Sequence, residues 1–81
     1  MERIEKELID ILWEVVPGKK DIEIAGDTDI LTEFELDSLQ LFELVEVVEG
    51  RMGVNLFEID DFVSKFRNFG DLCQAIYDKN I

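Results

Sequence analysis

Eighty-one residues with twenty acids, eight bases and no histidine make a short chain of formal net charge −12. That length bounds the chain to one domain, expected over residues 1–81, and 47% apolar residues can supply its core without staples. The charge excludes nucleic acid and anionic membrane surfaces as partners, since both demand Lys and Arg, and favours partners with basic docking patches.

Residues 1–7 lack the apolar run of a signal peptide, and no apolar stretch approaches the length of a membrane span. The expectation is a complete, soluble, cytoplasmic monomer with no membrane insertion. Cys73 is the single cysteine, so no disulfide framework is available. In a helical pattern it reads as a small buried hydrophobe.

Ile4, Leu8, Ile11, Leu12 and Val15 recur at helical spacing, which predicts a first helix from about residue 2 to 16. Pro17-Gly18 ends it, and Lys19-Lys20 read as solvated lysines after the stop. A long connection follows, residues 18–36, anchored to the core by Ile22, Ile24, Ile30, Leu31, Phe34 and Leu36. Connections of that length in a small domain are unusual and often functional. Ile22-Glu23-Ile24 alternates like a strand but has no second strand to pair with, so it is read as extended loop.

A second helix is predicted from Asp37-Ser38 to about Met52, with Asp37 as its cap and Gln40 completing a capping-box pair. Leu41, Leu44, Val45, Val48 and Met52 form its inward stripe; Leu39, Phe42, Glu43, Glu46 and Glu49 lie opposite, and Gly53 closes it. Residues 58–63 suggest a short helical turn. Asn68 or Asp71 then starts a last helix to about Lys79, with Phe69, Leu72, Cys73 and Ile76 inward and Gly70 a mild cost near its start. The fold class is all-α: a small four-helix bundle of three main helices plus one short one, with a long loop between the first two.

Chemistry is scarce along this chain. Without histidine the commonest general base and metal ligand is missing. Asp37 is a poor base for an alcohol, so Ser38 is no triad serine, and no catalytic residue is assigned. Asp27-x-Asp29 starts like a calcium loop but fails at Leu31 and Thr32, and Pro17-Gly18-Lys19-Lys20 is no phosphate loop, so no metal is assigned.

Ser38 then stands between two readings. It can be one more polar residue at a helix start, in an unmodified acidic interaction module. Alternatively, because Asp37 already caps the helix, its hydroxyl is free to point outward as a handle. Leu39 and Phe42 sit beside it, away from the core stripe. Residues 33–61 hold nine acids against Arg51 alone. An apolar spot in an acidic ring around a reachable hydroxyl is a docking surface.

Leu36-Asp37-Ser38-Leu39, followed by Glu43-Leu44-Val45, Glu49 and Gly53-Val54-Asn55-Leu56, resembles the acyl carrier proteins of the phosphopantetheine-binding superfamily. That superfamily also includes peptidyl and D-alanyl carriers. The segment Phe66-Arg67-Asn68-Phe69-Gly70-Asp71-Leu72 is similar to the family's entry into its final helix. The resemblance implies a non-enzymatic carrier. Ser38 would hold a covalent 4′-phosphopantetheine, installed from coenzyme A by a phosphopantetheinyl transferase, whose thiol bears acyl or aminoacyl groups as thioesters. Asp37, Leu39, Phe42, Glu43, Glu46 and Glu49 would meet the loading and processing enzymes. Fatty-acid carriers usually have Gly-Ala where this chain has Glu35-Leu36, and an acid where it has Gln40; Leu36 before Asp-Ser resembles polyketide-type or D-alanyl-type carriers more, which implies a specialised carrier.

Overall fold

The structure, a computed structural model, describes residues 2–19 and 21–80, so Lys20 and the two terminal residues lie outside it. Five α-helices follow one another: α1 (Glu2–Val15), α2 (Ile30–Glu33), α3 (Ser38–Met52), α4 (Phe62–Lys65) and α5 (Phe69–Asn80). Short 3-10 turns sit at Pro17–Lys19 and Leu56–Glu58, and no strand occurs among the described residues. The three long helices are the expected ones, and they form a helical bundle in which α1 packs on both α3 and α5. Two short helices are present against one expected: α4 near the expected turn, and α2 inside the connection read as loop.

The core follows from the helical spacing. Leu8, Ile11 and Leu12 of α1 meet Leu44, Val45 and Val48 of α3 and Leu72, Cys73 and Ile76 of α5, all buried. Burial pushes the Cys73 thiol up to about 12, with the nearby charge of Glu5 adding to it. Cys73 is thus the packed hydrophobe its pattern implied. Across the α1–α3 seam, Arg51 donates to Glu14 at 2.5 Å and to Glu7 at 2.6 Å, bridging two acids that lie two helical turns apart.

The long connection is less of a loop than its sequence suggests. Ile22 and Ile24 lie outside any helix or strand and pack against the core. Asp29 then accepts from the Thr32 N–H at 3.1 Å and starts α2, which buries Ile30 and sets Phe34 into the core. Three backbone bonds sew the connection to the far end of the chain: Gly70 N–H to Gly26 O at 2.7 Å, Phe69 N–H to Thr28 O at 2.9 Å, and Ile30 N–H to Phe66 O at 2.8 Å.

Gly70 therefore has a packing reason: a Cβ there would stand 3.1 Å from Gly26 O. Its cost as a helix residue is offset by a close backbone approach that no larger residue permits without a shift.

The helical turn expected at residues 58–63 is displaced. Helical backbone ends at Glu58 and resumes at Phe62, because Asp61 adopts a left-handed conformation with φ 56° and breaks the path between them.

Candidate functional site

Helix α3 starts as its sequence dictates. Asp37 Oδ1 accepts from the Gln40 N–H at 2.8 Å, and the Asp37 N–H donates back to Gln40 Oε1 at 3.3 Å, a closed capping box. Gly53 ends the helix at φ 72°, its N–H donating to Glu49 O at 3.0 Å. Fifteen helical residues thus point the positive end of their dipole at solvent beside Ser38.

Ser38 is the first residue of α3 and is exposed. Among the described residues none bonds its hydroxyl, and none accepts from the Ser38 or Leu39 N–H. Among the described residues the hydroxyl consequently has no base to activate it.

Around it the expected face assembles. Asp37, Glu43, Glu46 and Glu49 are exposed, and no described Lys or Arg pairs with them. Arg51, the one base of this stretch, is committed to α1. Leu39 is 76% exposed and Phe42 50%, an uncovered apolar pair one turn apart.

Two features were not legible in advance. Lys19 is not merely solvated: it pairs with Glu35, just ahead of Leu36-Asp37-Ser38. The hydrogen bond between them raises the lysine's pKa and lowers that of the carboxyl. Glu35 itself has φ 49°, a left-handed backbone that favours glycine.

Phe57 is the other. It is 50% exposed and stands 6.0 Å from Phe42, centroid to centroid. Phe57 meets Phe62 edge-on at 5.2 Å, and Phe62 meets the buried Phe66 at 6.3 Å. The recurrence of Phe at 57, 62 and 66 was the available signal. Of Asp27 and Asp29, weighed as a cation loop, Asp29 serves the backbone instead, as the cap of α2. Among the described residues no group of three acids or cysteines is placed to hold a metal.

This geometry defines a class: a small helical bundle that displays one unpartnered hydroxyl at a helix N-terminus, ringed by acids and uncovered apolar side chains. The family described as phosphopantetheine attachment site matches residues 6–76, and the chain belongs to it. A domain of this family is the site of covalent 4′-phosphopantetheine attachment and carries its load without catalysing. It works with a phosphopantetheinyl transferase and with partner enzymes. In comparisons with curated proteins and with solved structures, nothing matches the chain.

The residues present fit the group. A phosphodiester on the Ser38 oxygen would lie at the open end of α3, where two N–H groups without a partner among the described residues and the helix dipole favour an anion. No helix of the described residues is long and apolar enough to cross a membrane.

Proposed function

We propose that Ser38 is the attachment residue and that the chain, as one carrier domain over residues 1–81, bears acyl or aminoacyl thioesters in a specialised fatty acid, polyketide or related pathway of the cytoplasm. The observation that supports this reading best is the Ser38 hydroxyl: exposed, without a partner among the described residues, at an open helix start. In the loading step its proton passes to a base on the transferase. The Ser38 oxygen then bonds to the phosphorus of coenzyme A that carries the pantetheine, and adenosine 3′,5′-bisphosphate leaves.

Each neighbour has a part in this. Asp37 holds the first turn of α3 in place and adds charge for a partner to read. Leu39 and Phe42 give a partner apolar contact, and Glu43, Glu46 and Glu49 steer basic patches towards it. Arg51 stays out of that field because Glu7 and Glu14 hold it. The protein acts as a monomer, since the same face must dock one enzyme after another.

Incubation with coenzyme A and a broad-specificity phosphopantetheinyl transferase is expected to add one phosphopantetheine mass, and Ser38→Ala to abolish it. The variant's circular dichroism should match that of the parent. An unchanged mass with a transferase active on a control carrier refutes the assignment.

A further inference from the structure

The string Phe42–Phe57–Phe62–Phe66 runs from one turn beyond Ser38 to the core, and nothing in the attachment of an arm requires it. Ser38 and Phe42 are four residues apart on one helix, about 6 Å of axial rise, so a group tethered to Ser38 starts beside these rings.

The outer rings are half exposed while the inner end is filled: Phe66, Phe34, Leu44 and Leu56 are essentially inaccessible. An apolar group reaching in from Ser38 therefore meets a fixed aromatic surface and then a packed core. A compact group can rest on the rings at no cost in packing. A long straight chain could be buried only by prising the rings apart.

Charge narrows the cargo further. Glu43 and Glu46 of α3, and Glu58 and Asp61 next in sequence to Phe57 and Phe62, are exposed, and no described Lys or Arg pairs with them. A cargo bearing its own carboxylate is repelled there, and one bearing an ammonium is attracted.

We infer that the surface formed by Leu39, Phe42, Phe57 and Phe62 holds the thioester-bound cargo outside the core, and that this cargo is an aminoacyl group with a large apolar side chain. The side chain lies on the rings and the ammonium faces the acids. Tethering makes weak contact sufficient, because an arm fixed at Ser38 keeps its cargo at a high effective concentration near the surface. The inference rests on Ser38 as the attachment residue.

The test loads Ser38 with pantetheine arms ending in phenylalanyl, 3-phenylpropanoyl or octanoyl groups, as stable amides. Loading is verified by intact mass, and amide and ring resonances are compared with the unacylated holo protein. The phenylalanyl arm is expected to shift Leu39, Phe42, Phe57 and Val63 and to leave Leu12, Phe34 and Leu44 unmoved. The 3-phenylpropanoyl arm, lacking only the ammonium, should give less than half of that shift, and Phe57→Ser should remove most of it. Leu39→Ser, at a more exposed position, is the second variant should Phe57→Ser fail to fold.

Core shifts from the octanoyl arm larger than any surface shift from phenylalanyl would overturn the inference. Equal surface shifts from phenylalanyl and 3-phenylpropanoyl overturn the aminoacyl assignment. No cargo-dependent shift overturns the resting surface altogether. An arm absent from the mass spectrum takes down the Ser38 assignment as well, which separates the two failures.

Discussion

Helices α3 and α5 begin in opposite ways. At α5 every early donor is used: Phe69 and Gly70 donate to carbonyls of the long connection, Asp71 to Asn68 Oδ1 at 3.0 Å, and Leu72 to Asn68 O at 3.1 Å. At α3 the capping box satisfies Gln40 and Asp37, but the Ser38 and Leu39 N–H groups have no described partner and Leu39 lies bare. A helix start normally leaves several N–H groups to be satisfied. Where the chain itself satisfies them, the end is structural; where it leaves them open beside an exposed hydroxyl, the end can receive a group from outside. One small fold thus separates its fastening from its working surface.

The sharpest way to break that contrast is at the closed end. Phe66 is fully buried, and its carbonyl accepts from Ile30. Phe66→Ala should cost about 3–5 kcal/mol in urea unfolding, as large-to-small changes at buried aromatics do. A loss below about 1 kcal/mol would mean that this junction does not fasten the fold.

Next in size is the buried thiol on α5. Cys73 ionises only near 12 in the fold, against an ordinary value near 9. As pH rises from about 9 to 12 the unfolded chain sheds the thiol proton while the folded one keeps it. The folded state then holds more protons, so stability falls across that window, by up to about 1.4 kcal/mol per pH unit. Below the window the thiol adds no slope. Cys73→Ala should flatten the difference between stabilities measured at pH 8 and pH 10; an identical slope in parent and variant would show the thiol to be solvated.

At the open end the effects are smaller. Asp37→Ala removes the cap and should cost about 1 kcal/mol in thermal or chemical unfolding, whereas Ser38→Ala should stay within about 0.5 kcal/mol. Equal losses at both positions would mean that Ser38 is structural after all.

The open end was also the more legible of the two. Asp37, Gln40 and Gly53 act within four residues of their partners, so their roles can be read from spacing alone. The periodic core of α1, α3 and α5 was legible for the same reason. The closed end was legible only in Asn68, whose side chain accepts from Asp71; its other fastenings join backbone groups some forty residues apart, and backbone bonding leaves no side-chain signature. Gly70 consequently looked like a cost, and α2, four residues long, hid inside the long connection. Phe57 was missed because it lies in a 3-10 turn of three residues, Leu56–Glu58, too short to leave a periodic pattern. The carrier chemistry was readable from the Asp37-Ser38-Leu39 context; the aromatic surface beside it required three dimensions.

The smallest expected effect lies at the residue that joins the two regimes. Glu35 takes a left-handed backbone at φ 49° just before the capping box, where its N–H donates to Thr32 O at 3.2 Å and its side chain makes an exposed pair with Lys19. Exposed pairs contribute little, and a side chain in that conformation is strained where glycine is not. Glycine restores freedom to the unfolded chain, so part of the gain is given back. Glu35→Gly should therefore raise the melting temperature by about 2–6 °C, and Glu35→Gln, which keeps the strain and weakens the pair, should barely move it. If the glycine variant melts lower than the parent, the Lys19–Glu35 pair is what sets the approach to Ser38, and the open end is fastened after all.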